Sequence, residues 1–217
     1  VSSLTLQTQA AAFYGDTFSY GNGALTNVSS PLWQAHSGGG SSAVQVSSGQ
    51  ISLVQGAGSR EDVNRPTGVT MGVGQTWYAG FDVAVSGGTT TVYFAHFLQG
   101  VSNFGSRIFV TNSAVLGGDF SFGIWSGNSP AATWASPLTF NTTYRLLVSY
   151  EYDTGIGRLW INPTQMSDTS ISASGFVGNA MGAFAFRQGA GNSVQTIDNL
   201  VVGTSFNDVL TIPEPSS

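Results

Sequence analysis

The chain has 217 residues, 41% of them apolar and 12% aromatic, which is enough to bury the core of one all-β domain. Only 8% of its side chains are charged, against ~25% in ordinary soluble proteins, and with a net charge of -5 and six scattered arginines in place of any lysine it has no basic patch for nucleic acid. The absence of cysteine excludes disulfide frameworks, thiol nucleophiles and thiolate metal sites, and no run reaches the ~20 apolar residues that a membrane-spanning helix needs.

In chain order, the opening VSSLTLQTQ has strand character, with Leu4 and Leu6 on one face. It is read either as an arm (residues 1–12, with Val1, Leu4 and Leu6 as contacts) that pairs with a neighbouring subunit, or as an edge strand of its own sheet. DTFSYGNGALTN and Trp33 follow, and then the turn-rich HSGGGSSA, in which His36 lies beside a Gly run. GAGSREDVNRPTG holds the densest charges. This stretch is read as a solvated loop, and the alternative is a calcium site, for which Glu61, Asp62 and Asn64 offer hard oxygen ligands.

TWYAGFDVAV has a period of two. Trp77, Ala79, Phe81, Val83 and Val85 share one face of a half-buried strand, with Tyr78, Asp82 and Ala84 on the other. TVYFAHF, with His96 as a strand histidine, RIFV and DFSFGIW read similarly. Trp125 and Trp134 bracket SGNSPAAT, and with Asn128 they form the candidate sugar platform, because sugar rings stack on aromatic faces while amides bond their hydroxyls.

YEYDTGIGRLWINP is a hairpin, with Asp153 to Gly157 as the turn. AFAFRQ and QTIDNLVV are late strands, and the chain closes on Pro213, Glu214 and Pro215, which cannot extend a ladder. Many short strands, Gly-rich turns and no long amphipathic segment predict an all-β fold of two antiparallel sheets, a β-sandwich or jelly roll, with Phe81, Phe94, Phe122, Leu146 and Trp160 buried.

The DTFSYGNGALTN opening with Trp33, the YRLLVSYEYDTGIGRLWINP hairpin and the closing AFAFRQG and QTIDNLVVGTSFNDV resemble a bacterial laminin-G/concanavalin-A-like jelly-roll domain over residues 13–210. The tail, residues 211–217, is similar to the start of a PEP-CTERM sorting signal. That resemblance implies an exported protein of the cell surface or extracellular matrix. Related glucanases use Glu-x-Asp-x-x-Glu, but here Glu151 and Asp153 are followed by Ile156 where the third carboxylate belongs, so no hydrolytic enzyme is expected. No cofactor is expected apart from the calcium alternative. The functional expectation is a non-catalytic matrix protein that self-assembles, since few charges guard its strand edges. The alternative is a lectin-like module that binds exopolysaccharide.

Overall fold

A computed structural model of the chain describes residues 12–88 and 90–211. The arm contacts Val1, Leu4 and Leu6 and the motif Pro213, Glu214 and Pro215 lie outside the described residues. Alternating side chains and Gly-rich turns give two antiparallel sheets packed face to face, as the periodicity predicts.

One sheet has nine strands in the order β14 (Ser170–Ser174), β13 (Ile156–Ile161), β12 (Thr143–Glu151), β7 (Thr76–Gly87), β16 (Ser193–Gly203), β5 (Gln50–Val54), β4 (Gln45–Ser47) and β2 (Gly23–Ala24), with β1 (Tyr14–Asp16) also paired to β16. The other has seven: β11 (Ala132–Thr133), β10 (Phe120–Trp125), β9 (Asn103–Asn112), β8 (Val92–Gln99), β15 (Ala183–Phe186), β6 (Asp62–Pro66) and β3 (Gln34–Ser37).

The inner faces of the two sheets form the core. Trp77, Ala79, Phe81, Val83 and Val85 of β7 are all buried there. Phe81 meets Phe94, Phe184 and Phe186 of the facing sheet at ring-centroid distances of 6.3, 5.9 and 5.6 Å, in edge or tilted geometries that aromatic quadrupoles favour. Phe94, Phe122 and Leu146 are buried as predicted.

Trp160 is buried too, but in a second layer. It lies with Tyr78, Leu147 and Val201 on the outer face of the nine-stranded sheet, beneath the short helix α2 (Phe206–Leu210), which contributes Phe206 and Val209. Ser205 caps that helix, its hydroxyl accepting from the Asp208 N–H at 3.2 Å. Gly80 lets α2 approach, since a Cβ there would lie 2.3 Å from the Val209 carbonyl oxygen. α2 and the single-turn α1 (Leu25–Val28) are the helices among the described residues, and neither is long and apolar enough to cross a membrane.

The opening motif owes its pattern to Asp16, which is buried. Its carboxylate accepts from the Phe18 N–H (2.8 Å), the Tyr20 hydroxyl (2.8 Å), the Trp33 indole N–H (2.8 Å) and the Arg65 guanidinium (2.8 Å). That one group ties residues 16–33 to β6.

Candidate functional site

The outer face of the seven-stranded sheet is built from the off-core positions of β8 and β9. On β8, Phe94 and Phe97 point into the core while Tyr93 and His96 point out; two register shifts against β9 adjust the alternation. On β9 the irregularity falls at Ser106, whose φ is 47°. Ser106 turns inward to donate to the Ser149 carbonyl at 2.7 Å, and Arg107 is thereby returned to the outer face beside Phe104.

The result is a layered stack. The Arg107 guanidinium lies 4.3 Å from the Phe104 ring centre and 4.4 Å from that of Tyr93, and the Arg187 guanidinium lies 4.2 Å from Tyr93. His96, fully buried, sets its ring edge-on to Phe104 (4.9 Å), Tyr93 (5.6 Å) and His36 (6.0 Å). Both His96 ring nitrogens and Nδ1 of His36 are buried without a hydrogen-bond partner.

Burial, and then Arg187, pushes His36 down to about 4; burial, His36 and the two arginines hold His96 well below the usual imidazole range. Both imidazoles are therefore neutral at pH 7. Burial raises Asp62 to about 6, although the Gln188 N–H (2.9 Å) and Arg187 pull it the other way. Its closest approach to Arg187 is 3.9 Å, a loose ion pair. On a chain whose net charge is -5, this face concentrates positive charge.

Beside Arg107 a cleft of about 410 Å³ opens between Asn103, Phe104, Asn128, Phe176 and Asn179. Arg107 is held in place by donating to the Gly127 carbonyl (2.7 Å) and to Oδ1 of Asn128 (2.9 Å). Phe176 is 60% exposed, so an apolar ring stands at the cleft beside three amides.

Asn128 thus reaches a cleft, and Trp125 flanks it. The Trp125 indole donates to the Ser174 carbonyl at 3.0 Å, and its ring lies over Gly127, where a Cβ would come within 2.1 Å of it. Trp134 does not join them. Continuing the β10–β11 register places it opposite Phe122, a core position, whereas Trp125 pairs with the outward Arg107. The two tryptophans occupy opposite faces of the sheet, and Trp134 packs against the core.

The calcium alternative's three oxygen donors are each engaged elsewhere. Glu61 is buried and accepts from the Gly40 (3.0 Å) and Val44 (3.3 Å) N–H groups, which corrects the reading of a solvated loop. Asp62 faces Arg187, and Asn64 donates to the Gln34 carbonyl at 3.4 Å. Among the described residues no group of three or more His, Cys, Asp or Glu side chains gathers as metal ligands do. Glu151 and Asp153 lie on the hairpin of the other sheet, accepting from the Thr154 hydroxyl (2.8 Å) and the Gly74 N–H (2.9 Å).

Sequence reasoning missed Tyr93, Phe104, Arg107 and Arg187. The available signal was an arginine inside each of two otherwise uncharged strand patterns, FGSRIFV and AFAFRQ.

No protein-family model matches the chain, and no curated protein sequence does. Among solved structures it is similar to the carbohydrate recognition domain of Emp47p (12% identity, TM-score 0.53, covering 93% of this chain and 99% of that one) and to a lectin from Bauhinia forficata in complex with GalNAc (9%, 0.51, 81% and 93%). It is also similar to a sialidase (11%, 0.56, 89% of this chain), of which it spans only 19%. The chain has the concanavalin-A-like jelly-roll fold of these lectins.

Proposed function

We propose that the chain is a lectin-like module that binds extracellular polysaccharide without turning it over, at the cleft beside Arg107. The observation that carries this reading is the convergence there of apolar rings (Phe104, Phe176), amides (Asn103, Asn128, Asn179) and one fixed guanidinium. A cleft of about 410 Å³ is within the size range of ligand pockets. Rings take the C–H faces of a sugar, and amides take its hydroxyls as both donors and acceptors. That a carbohydrate recognition domain shares the fold agrees with this reading, but fold alone assigns no function.

Export to the surface or matrix and a sorting role for Pro213, Glu214 and Pro215 belong to the same proposal, supported by sequence resemblance. The self-assembly reading rests on residues 1–12 and has no observation among the described residues in its favour, so it takes second place.

A glycan array followed by calorimetry tests the proposal. Asn128→Ala and Phe176→Ala are each expected to weaken the best ligand about tenfold or more while circular dichroism stays unchanged, a tenfold loss being ~1.4 kcal/mol. A folded wild-type protein that binds no glycan on the array would overturn it, and so would release of reducing ends or unsaturated products from a bound polysaccharide.

A further inference from the structure

Two arginines and two histidines meet on a chain that has only six and two of them, and the cleft alone does not account for that. Arg107 is held from the cleft side by Gly127 and Asn128, but Arg187 is less committed. Its Nε stands 3.9 Å from Asp62, its Nη1 makes a long 3.4 Å bond to the Tyr93 carbonyl, and its side chain is 26% exposed. The Tyr93 ring holds both guanidiniums within 4.4 Å of its centre, so the two cations stay close in spite of their repulsion. Nδ1 of His36 is a further polar atom at this face that no protein group satisfies.

A cation pair kept together with so little compensation is arranged for an anion that arrives from outside. Metal binding does not suit the same atoms: two fixed positive charges flank the imidazoles, and no third ligand converges among the described residues.

We propose that the polysaccharide is acidic, and that Arg187, backed by the Tyr93–Arg107 stack and with His36 beside it, receives an anionic sugar substituent while the neighbouring cleft holds the sugar rings. This inference rests on the glycan-binding reading of the cleft. A guanidinium offers parallel N–H donors that match a carboxylate or a sulfate oxygen pair, and the face's positive field also speeds the approach of such a ligand. Asp62 is a competing anion: it occupies the edge of Arg187 when the site is empty and is displaced or protonated when a ligand carboxylate takes its place.

The full chain is titrated by calorimetry against oligogalacturonate and oligomannuronate, against a sulfated oligogalactan, and against neutral oligogalactose and oligomannose. At least one acidic oligomer is expected to bind ten times more tightly than its neutral counterpart, and to weaken as salt rises from 50 to 500 mM. The uronate and sulfate arms separate the two sources of negative charge. Arg187→Gln is expected to remove that tenfold preference and leave neutral binding unchanged, and Arg187→Lys to restore part of it. Asp62→Asn retains an acceptor for the Gln188 N–H and removes the competing charge, so it is expected to raise acidic-oligomer affinity severalfold even if Arg187→Gln proves unfolded. Equal binding of acidic and neutral oligomers by wild type, with sensitivity to Asn128→Ala, overturns this inference and leaves the glycan reading standing. Absence of all binding overturns both. An Asp62→Asn protein with unchanged or lowered acidic affinity also overturns the inference.

Discussion

Asp16 shows how much one side chain can settle. Its carboxylate takes four donors from three stretches of chain, one of them the Arg65 charge, at a site that water barely reaches. Removing one partner of a buried, hydrogen-bonded ion pair strands the other, so Asp16→Ala is expected to cost ~3–5 kcal/mol in urea unfolding. Asp16→Asn keeps one acceptor and is expected to cost less. The sequence showed Asp16 and Trp33 as parts of a recurring opening pattern, but not that they touch; nothing in the spacing specifies which donor a carboxylate meets across seventeen residues.

The two histidines make a pH prediction at the same scale. A histidine whose folded-state value lies below the usual 6.5 leaves the unfolded chain to bind the proton first, so stability is full above pH 6.5 and declines as pH falls, toward about 4 for His36 and in the same direction for His96. Asp62, raised to about 6, works the other way: the folded chain binds its proton first, which favours folding as pH falls from about 6 to 3.8. His96 faces His36, Tyr93, Phe104, Arg107 and Arg187, and no acidic group is among these ring and charge neighbours. His96→Leu is therefore expected to flatten the acid limb of the denaturation midpoint between pH 6.5 and 4. An unchanged limb would show that the imidazole is solvated.

At the scale of elements, strands were legible and their coverings were not. The period-two runs and the hairpin appear where predicted, because alternation records which side of a strand meets apolar surroundings, but the turn is shorter than the expected Asp153–Gly157, since Ile156 and Gly157 already pair within β13. The same alternation put Tyr78 and Asp82 on a second face without saying what covers it. α2 covers it. Its five residues are too few for a helical period to register, and Arg145 fastens it from a strand sixty residues away, donating to the carbonyls of Asn199 (2.7 Å) and Val209 (2.7 Å). Gly80→Ala places a methyl against the Val209 backbone, so a destabilisation of ~1–3 kcal/mol is expected, with faster hydrogen exchange across residues 206–210. Exchange that stays slow would mean that β7 yields instead of the helix.

For the whole molecule, the two-sheet sandwich followed from the pattern, whereas the site did not. Asn128 and Trp125 stood out because loops between tryptophans draw attention, and Asn128 lines the cleft, yet Trp134 falls on the other face for a reason that only register discloses. Arg107 and Arg187 are eighty residues apart and become neighbours through the order β9-β8-β15, which is a property of sheet topology that local sequence does not encode. The topology also gives the molecule a back and a front. Phe13 donates to the Val202 carbonyl at 2.7 Å, and Thr211 lies where Arg145 reaches past α2, so the described chain enters and leaves on the nine-stranded sheet. The cleft opens beside Arg107 of the seven-stranded one, at the edge where Phe176 and Asn179 reach it from the segment after β14. Copies tethered by either end would hold their clefts clear of the support, and on the glycan-binding proposal many modest sites presented in one direction would hold a polymer by avidity that no single cleft supplies.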